Sequence, residues 1–427
     1  MRTWKFLALA FQTACASSID DNPPGSGATS GGGGSASGGA PSGCSSDEKL
    51  CGGECVAISD PHYGCDSESC SPCPSHAVHL CNAGSCQFVE CLPEWGDCDT
   101  DPANGCETSL AADAQNCGAC GHDCAGSTCA SGMCAPTEIA SGLGTPLHMA
   151  LRDGVLYWSE VQGTTRIRRV DTTGGTPTTL VEQSAGTFGL AVDSTHVYWL
   201  DSTGDDIGYH ALRRVSKDGG AGEVVASISS AIGMVADDLH VYVFDPQELL
   251  RIAKVGGAVQ SIAAPTGLSS GPGTNSAPAV AHDGNVYWVG FDTNAQPSVL
   301  SVSTGGGTIA PLATTTFPLE ARITADASGV FWSENENGYR IQRAPLGGGN
   351  KSLLVDAQHP VLALTTDATA VIWADTQTIF RTHKTDGRFG TALSLAEGVV
   401  AIAADDVYAY YAGIDGSALG YLKKVAK

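Results

Sequence analysis

Tyr157-Trp158-Ser159-Glu160 returns as Tyr198-Trp199-Leu200-Asp201, then as Tyr242-Val243-Phe244-Asp245 and Tyr287-Trp288-Val289-Gly290. Three further versions follow: Phe331-Trp332-Ser333-Glu334, Ile372-Trp373-Ala374-Asp375 and Tyr410-Tyr411-Ala412-Gly413. The second residues of these seven cores lie 41, 44, 45, 44, 41 and 38 residues apart. A step of roughly 42 suits a propeller blade of four short strands, because a single repeat cannot bury its apolar face and must stack on its neighbours. Around each core the order is the same: an apolar strand, an acid or turn, the aromatic pair, an Arg-Val-like strand, a Gly-rich turn and another apolar strand. Gly174-Gly175, Gly219-Gly220, Gly256-Gly257, Gly305-Gly306 and Gly347-Gly348 supply the positive φ of tight hairpins, with Asp386-Gly387 in the sixth unit.

Seven such units fill 135–427. The fold class predicted is therefore mainly β: a seven-bladed β-propeller, with six blades as the alternative, behind a small N-terminal disulfide-rich module. The last unit ends at about its third strand, Leu419 to Val425, while Thr137 to Ala140 precedes the first unit without a partner. Pairing these two pieces closes the ring and removes the open sheet edges that invite aggregation.

Tyr-Trp-x-Asp/Glu followed by Ile/Leu-x-Arg and a Gly-rich turn resembles the YWTD repeats of low-density-lipoprotein-receptor propellers. The resemblance covers about two thirds of the chain. Propellers of that family have six blades, stand beside cysteine-rich modules and work by binding, so binding is what the resemblance implies here.

Sixteen of the 17 cysteines fall between Cys44 and Cys134, and none follows. A segment with so few large apolar side chains cannot be held by a core alone, so 44–134 reads as a module whose skeleton is disulfides. Cys70-x-x-Cys73 and Cys117-x-x-Cys120 have zinc-ligand spacing, but an oxidising compartment pairs thiols before a metal can hold them. The sequence leaves the pairing open. The run Asn116-Cys117-Gly118-Ala119-Cys120-Gly121, with Cys124, Cys129 and Cys134, resembles small modules of extracellular proteins from large-genome Gram-negative bacteria.

Export is read at the N-terminus, where Arg2 and Lys5 precede the apolar run Phe6 to Phe11, giving an export signal over 1–14. Gln12-Thr13-Ala14-Cys15 resembles a bacterial lipobox, which makes Cys15 the lipidation site and leaves sixteen cysteines free to pair. Residues 15–43 form a lipid-anchored flexible linker, rich in Gly, Ser and Pro, that holds the rest roughly 30 Å from its anchor. The lipid is the expected membrane attachment, with no transmembrane helix, on an outer-membrane lipoprotein or alternatively a secreted protein.

Charge narrows the partners. With 45 acidic against 22 basic residues, a net charge of -23 excludes the clustered Lys and Arg of a nucleic-acid footprint. Sixteen acids and only Lys49 as a base lie between Ala16 and Ala135. Within that stretch Asp97, Asp99, Asp101, Asn104 and Glu107 resemble a calcium loop, where a hard cation takes six to eight oxygens. Calcium is the one cofactor suggested.

Glu160, Asp201, Asp245, Glu334 and Asp375 recur two residues after the aromatic pair's second member. Such regularity meets a repeated structural need rather than a catalytic one, and Arg168, Arg213, Arg251 and Arg343 recur alongside as ion-pair partners between blades. Function is expected where the repeat breaks, at the start of the innermost strands facing the central funnel. There His148 and Arg322 stand in the slot held by Gly189 and Gly233, with Glu320 and His359 close in register. These four are the predicted ligand-binding residues. No catalytic motif of a familiar kind is present, so the first reading is a cell-surface or secreted binding protein for an extracellular protein or glycan. An extracellular lyase or hydrolase using the same four residues is the alternative, and a structural or adhesive envelope protein the third.

Overall fold

The computed structural model describes residues 43–66, 68–101, 103–183, 186–202, 210–264, 279–316, 321–335, 338–385 and 391–427. The export signal, Cys15, the linker up to residue 42 and the Asp386-Gly387 turn lie outside the described residues. The chain forms two compact units, Met1–Ala57 and Ile58–Lys427. In the first, strands Glu48–Cys51 and Glu54–Ala57 form a hairpin, and Cys44 is bonded to Cys55.

The second unit opens with hairpins rather than a core. Ala77–Asn82 pairs with Ser85–Cys91, and Cys129–Ala130 with Met133–Cys134. Each hairpin is stitched to the loop before it by two bonds: Cys65–Cys81 with Cys73–Cys86, and Cys117–Cys129 with Cys124–Cys134. Cys91–Cys106 and Cys98–Cys120 tie the segment between them. Every cysteine from Cys44 to Cys134 is disulfide-bonded, so the zinc-like spacings hold no free thiolate. A fully paired set of this size is that of an exported protein.

From Thr145 onward the described strands form seven four-stranded antiparallel sheets. Six run in chain order, from Thr145–Arg152 through Thr391–Leu395. The seventh joins Val399–Ala404, Tyr408–Ile414 and Gly420–Ala426 to Thr137–Leu143, which enters as its outermost strand. Lys424 is in register with Thr137 and Leu422 with Ala140, so the ring closes where the two loose pieces of sequence are expected to meet. Each inner strand lies against the next, and the last against the first. The blades number seven.

The aromatic pair works because side chains alternate across a strand. In Val155–Gln162, Tyr157 points toward blade 2 and packs with Val197, Trp199 and Val215, whereas Trp158 points back to Tyr410, Ala412 and Leu422 of blade 7. The same arrangement fills the other five junctions, so each pair glues its blade to both neighbours. Trp158, Trp199, Trp288 and Trp332 are wholly buried. Burying about 200 Å² of such a side chain contributes on the order of 4–6 kcal/mol.

Turns between third and outer strands carry paired glycines at positive φ, for instance Gly174 at 96° and Gly175 at 136°. Where three glycines occur together, the pair that adopts this geometry is Gly306-Gly307 and Gly348-Gly349. The bend is thus one residue later than the expected Gly305 and Gly347, because the turn is counted from the end of the third strand.

Candidate functional site

The recurring carboxylates are occupied within the blades. Glu160, wholly buried, accepts from Trp158 Nε1 at 2.7 Å and from Arg168 at 3.0 Å. Arg213 pairs with Asp201. Glu334 accepts from Thr315 at 3.0 Å, Gln342 at 2.7 Å and Lys351 at 3.1 Å, while Trp332 Nε1 donates to Thr315. Blade 4 has Gly290 at this position, and there the buried Trp288 Nε1 has no partner among the described residues. None of the four arginines makes the expected blade-to-blade ion pair with these acids. Arg251 and Arg343 reach the next blade by donating to carbonyl oxygens, of Thr304 at 2.9 Å and of Lys384, whereas Arg168 and Arg213 pair with acids inside their own blade. The cause is register: Trp158 faces Arg168 across the sheet, so the guanidinium reaches Glu160 beside that tryptophan.

The inner strands are half-buried along most of their length, as in Ile323–Asp326 and Val399–Ala404, because one face looks into the central channel. At the mouth where these strands begin stand three of the four expected binding residues; Glu320 lies outside the described residues. His148 sits at a bulge of the blade 1 inner strand. Burial pulls its imidazole down to about 4, against a hydrogen bond to the Thr187 backbone, and its Nε2 is sealed without a partner. It is therefore neutral at pH 7. Arg322 donates to the Leu362 carbonyl at 2.7 Å and the Ala321 carbonyl at 3.2 Å, and its own N–H donates to Ser333 Oγ. His359 Nδ1 lies 3.0 Å from Asp375, whose other oxygen caps the N–H groups of Gln377 and Thr378. His148 belongs to blade 1, which two blades on one side and three on the other separate from Arg322 in blade 5. Arg322 reaches the Leu362 carbonyl, in the segment that leads from His359 into the blade 6 inner strand.

At the opposite mouth each inner strand turns through an aspartate. Asp193 accepts from the N–H groups of Thr195 and His196, and Asp367 from those of Thr369 and Ala370. A lysine from the following blade clasps several of these turns: Lys217 on Asp153 at 3.3 Å, Lys254 on Asp193 at 3.7 Å, Lys384 on Asp326 and Lys427 on Asp367. The same lysines cover aromatic rings of the preceding blade, Lys217 over Tyr157 and Lys254 over Tyr198.

Inside this ring of turns is a cavity of about 510 Å³, walled by the inner strands of blades 2, 3 and 4 and bounded by Arg152 of blade 1. Its lining is mixed, with Leu190, Val235 and Val280 along the strands and Asp237, Asp238, Lys254, His282 and Asp283 at the rim. Sequence reasoning favoured the other mouth, yet a signal for this one existed. Val192, Ala236, Ala325, Thr366 and Ala404 precede the turn aspartates, and Arg152 and His282 break that row of small residues.

Propellers of unrelated sequence share the architecture. An oligogalacturonate lyase from Vibrio parahaemolyticus aligns with a TM-score of 0.50 at 11% identity, covering 68% of this chain and 92% of the lyase. A nidogen/laminin complex gives 0.42 at 18% identity over 57% of this chain and 92% of that one. BamB from Moraxella catarrhalis gives 0.42 at 12%, over 72% and 90%. The likeness is one of fold alone. The sequence matches no protein-family model and no curated protein.

Of the five residues expected to take calcium, three carboxylates lie close together. Asp97, Asp99 and Glu107 bring carboxylate oxygens within 4.8 Å of one another, and Asp97 Oδ1 is buried without a hydrogen-bond partner. Burial and the neighbouring Asp99 and Glu107 raise the Asp97 carboxyl. Asp101 instead caps the Ala103 N–H, and Asn104 donates to Asp99 at 2.9 Å. No helix among the described residues is long and apolar enough to cross a membrane.

Proposed function

We propose that this is an exported binding protein, held at the outer membrane by a lipid on Cys15, whose propeller channel receives a group presented by an extracellular partner. The observation that carries the reading is the contrast at the channel. The repeated carboxylates are spent on structural bonds, while the turn-side cavity has a rim where the side chains of Asp238, His282 and Asp283 make no hydrogen bond or ion pair among the described residues. A concave site with a few convergent, uncommitted polar groups is what a ligand pocket needs. His148, Arg322 and His359, with Glu320, serve a ligand long enough to reach the other mouth.

The reading is tested by ligand-observed NMR with 2-phenylethanol, an uncharged probe of suitable size, on the native protein and on Ala236→Trp, which fills the mouth. Binding to the native protein that disappears in a folded A236W is expected; equal binding to both, or none to either, overturns it. Intact mass of the membrane-extracted protein tests anchoring: a chain that begins at Cys15 with acyl groups and no free thiol is expected, and an unprocessed chain sinks that part. Calcium at Asp97, Asp99 and Glu107 belongs to the same reading, supported by their convergence and by the unpartnered Asp97 Oδ1. About 1 mM calcium, in the range of extracellular modules, then raises the melting temperature more than equal magnesium does; identical melting excludes it.

A further inference from the structure

We infer that the disulfides Cys65–Cys81 and Cys73–Cys86 are an exchangeable pair, which an external thiol converts into Cys65–Cys73 and Cys81–Cys86. Both ends of the pair are placed for it. At the loop end, Sγ of Cys65 and Sγ of Cys73 belong to different disulfides and lie 3.5 Å apart, in van der Waals contact. At the hairpin end, Cys81 and Cys86 stand directly opposite each other across the strands Ala77–Asn82 and Ser85–Cys91. Ala83 and Gly84 make the turn at φ of 50° and 75°, the positive values that a two-residue type I′ hairpin requires. In such a hairpin the hydrogen-bonded pair flanks the turn, so Cys81 and Cys86, one step further on, are a non-hydrogen-bonded pair. Pairs of that kind have Cα atoms about 4.5 Å apart and side chains on one face, inside the roughly 4.4–6.8 Å that a disulfide spans.

The exchange involves no net oxidation or reduction. A thiolate, from a small thiol or a thiol–disulfide oxidoreductase, attacks Cys81 Sγ; a mixed disulfide forms there, the Cys65–Cys81 bond breaks and Cys65 leaves as thiolate. Cys65 then attacks Cys73, with which it is in contact, forming Cys65–Cys73 and expelling Cys86 as thiolate. Cys86 attacks Cys81 opposite it, which closes Cys81–Cys86 and returns the external thiolate. The hairpin is thereby released from the loop before it, while every cysteine stays paired. Burial decides where this happens, because the chain has a second cluster of the same design. Cys117–Cys129 and Cys124–Cys134 join a loop to a hairpin in which Cys129 faces Cys134, and Sγ of Cys117, Cys124 and Cys134 lie within 4.8 Å of one another. There Cys117 and Cys124 are 0% and Cys134 1% exposed, in the core shared with blades 6 and 7. Cys129 is partly exposed, but exchange there has to move three sulfurs held in that core. Cys81 and Cys86 are both partly exposed, so an attacking thiol reaches the first cluster.

The test incubates the full mature protein with a trace of reduced glutathione at mildly alkaline pH, quenches it with acid and digests it with pepsin, at a pH where exchange has stopped. In the native pairing the hairpin peptide carrying Cys81 and Cys86 stays joined to the loop peptide carrying Cys65 and Cys73. After exchange it is expected to come free without reductant, with Cys81–Cys86 closed, at least about tenfold faster than any change at the Cys117 cluster. Glutathione that yields only reduced thiols, or no change, overturns the inference, and equal exchange at both clusters overturns its assignment to this one. Cys65→Ser with Cys73→Ser tests the geometry independently of rate. Cys81 and Cys86 are then expected to pair with each other and leave no thiol that alkylates. Two free thiols in that variant, with the melting of the propeller unchanged, would show that the bond across the hairpin cannot close and would overturn the inference as well.

Discussion

Between 135 and 427 the chain has no cysteine and buries five tryptophans, four of them wholly and Trp373 to 3% exposure. Between 44 and 134 it has sixteen cysteines and leaves Leu50, Leu80, Val89 and Leu92 facing solvent. The propeller restricts its folded state by packing, since every blade offers a pair of large side chains, at least one of them aromatic, to two neighbours. The cysteine-rich stretch restricts its unfolded state by cross-links, since hairpins of two strands have nothing to pack between. Where they meet the two means are combined: Cys117, Cys124 and Cys134 share a core with Leu393, Ala396, Val399 and Tyr421 of blades 6 and 7. Thr137–Leu143, the strand that closes the ring, begins just after Cys134.

Reduction should therefore separate the two regions most sharply. With thiols reduced and alkylated, 58–134 loses its structure, because each native disulfide of such a stretch is worth about 2–5 kcal/mol. The ring itself contains none. Limited proteolysis is expected to leave a resistant fragment starting near residue 135, with a lower melting temperature because blades 6 and 7 lose their cover. Collapse of the whole chain on reduction would mean that the propeller depends on the disulfides for its fold.

The converse experiment is Trp199→Ala. Its ring packs between blades 1 and 2, and its Nε1 donates to Gln183 at 3.1 Å. Loss of about 3–5 kcal/mol is expected from the cavity left behind, read by urea unfolding, while the disulfide pattern found by peptide mapping stays as it is. A loss under 1 kcal/mol would show that the blades do not rely on the pair as argued.

How much of this was legible follows from what repeats. Seven cores at nearly constant spacing announce seven equal sheets, and unpaired ends at Thr137 and Val425 announce closure, because local patterning and ring geometry agree. Disulfide partners were not legible. Cys81 and Cys86 face each other across a hairpin, yet bond to Cys65 and Cys73, which only the three-dimensional path of the loop decides. The site was half legible. A break in the repeat marks His148 and Arg322, but the sequence does not say that Arg322 is held by the Leu362 carbonyl or that the cavity opens at the far mouth, beside Arg152 and His282.

His148 is an exception inside the packed region and gives a pH signature. Its folded value of about 4 is below the usual 6.5, so as pH falls through that interval the unfolded chain takes a proton that the folded chain refuses. Stability is full above about 6.5 and declines toward pH 4, by up to roughly 3 kcal/mol. Melting temperature followed across that range should lose this slope in His148→Gln. If the slope survives in the variant, the histidine is not its source.

A smaller effect, in a lower window, comes from the lysine clasps. Burial alone would raise Asp367, but the bond from Lys427 and the Thr369 and Ala370 N–H groups outweigh it and hold the carboxyl down to about 2. The sign is opposite to that of His148 in origin and the same in direction. A depressed carboxyl stabilises the fold above its unfolded value near 3.9, and that contribution disappears as pH falls toward 2. Lys427→Met removes the strongest of the lowering bonds while keeping most of the side chain's apolar length. Asp367 then titrates higher, so the acid transition starts at higher pH, and on the order of 2 kcal/mol is lost at pH 7, because both side chains of the pair are almost wholly covered. The His148 window between 6.5 and 4 stays where it was, because that residue lies in blade 1 and the clasp joins blades 6 and 7. If K427M instead shifts both windows together, the blades are coupled around the ring and the clasp is more than a local bond.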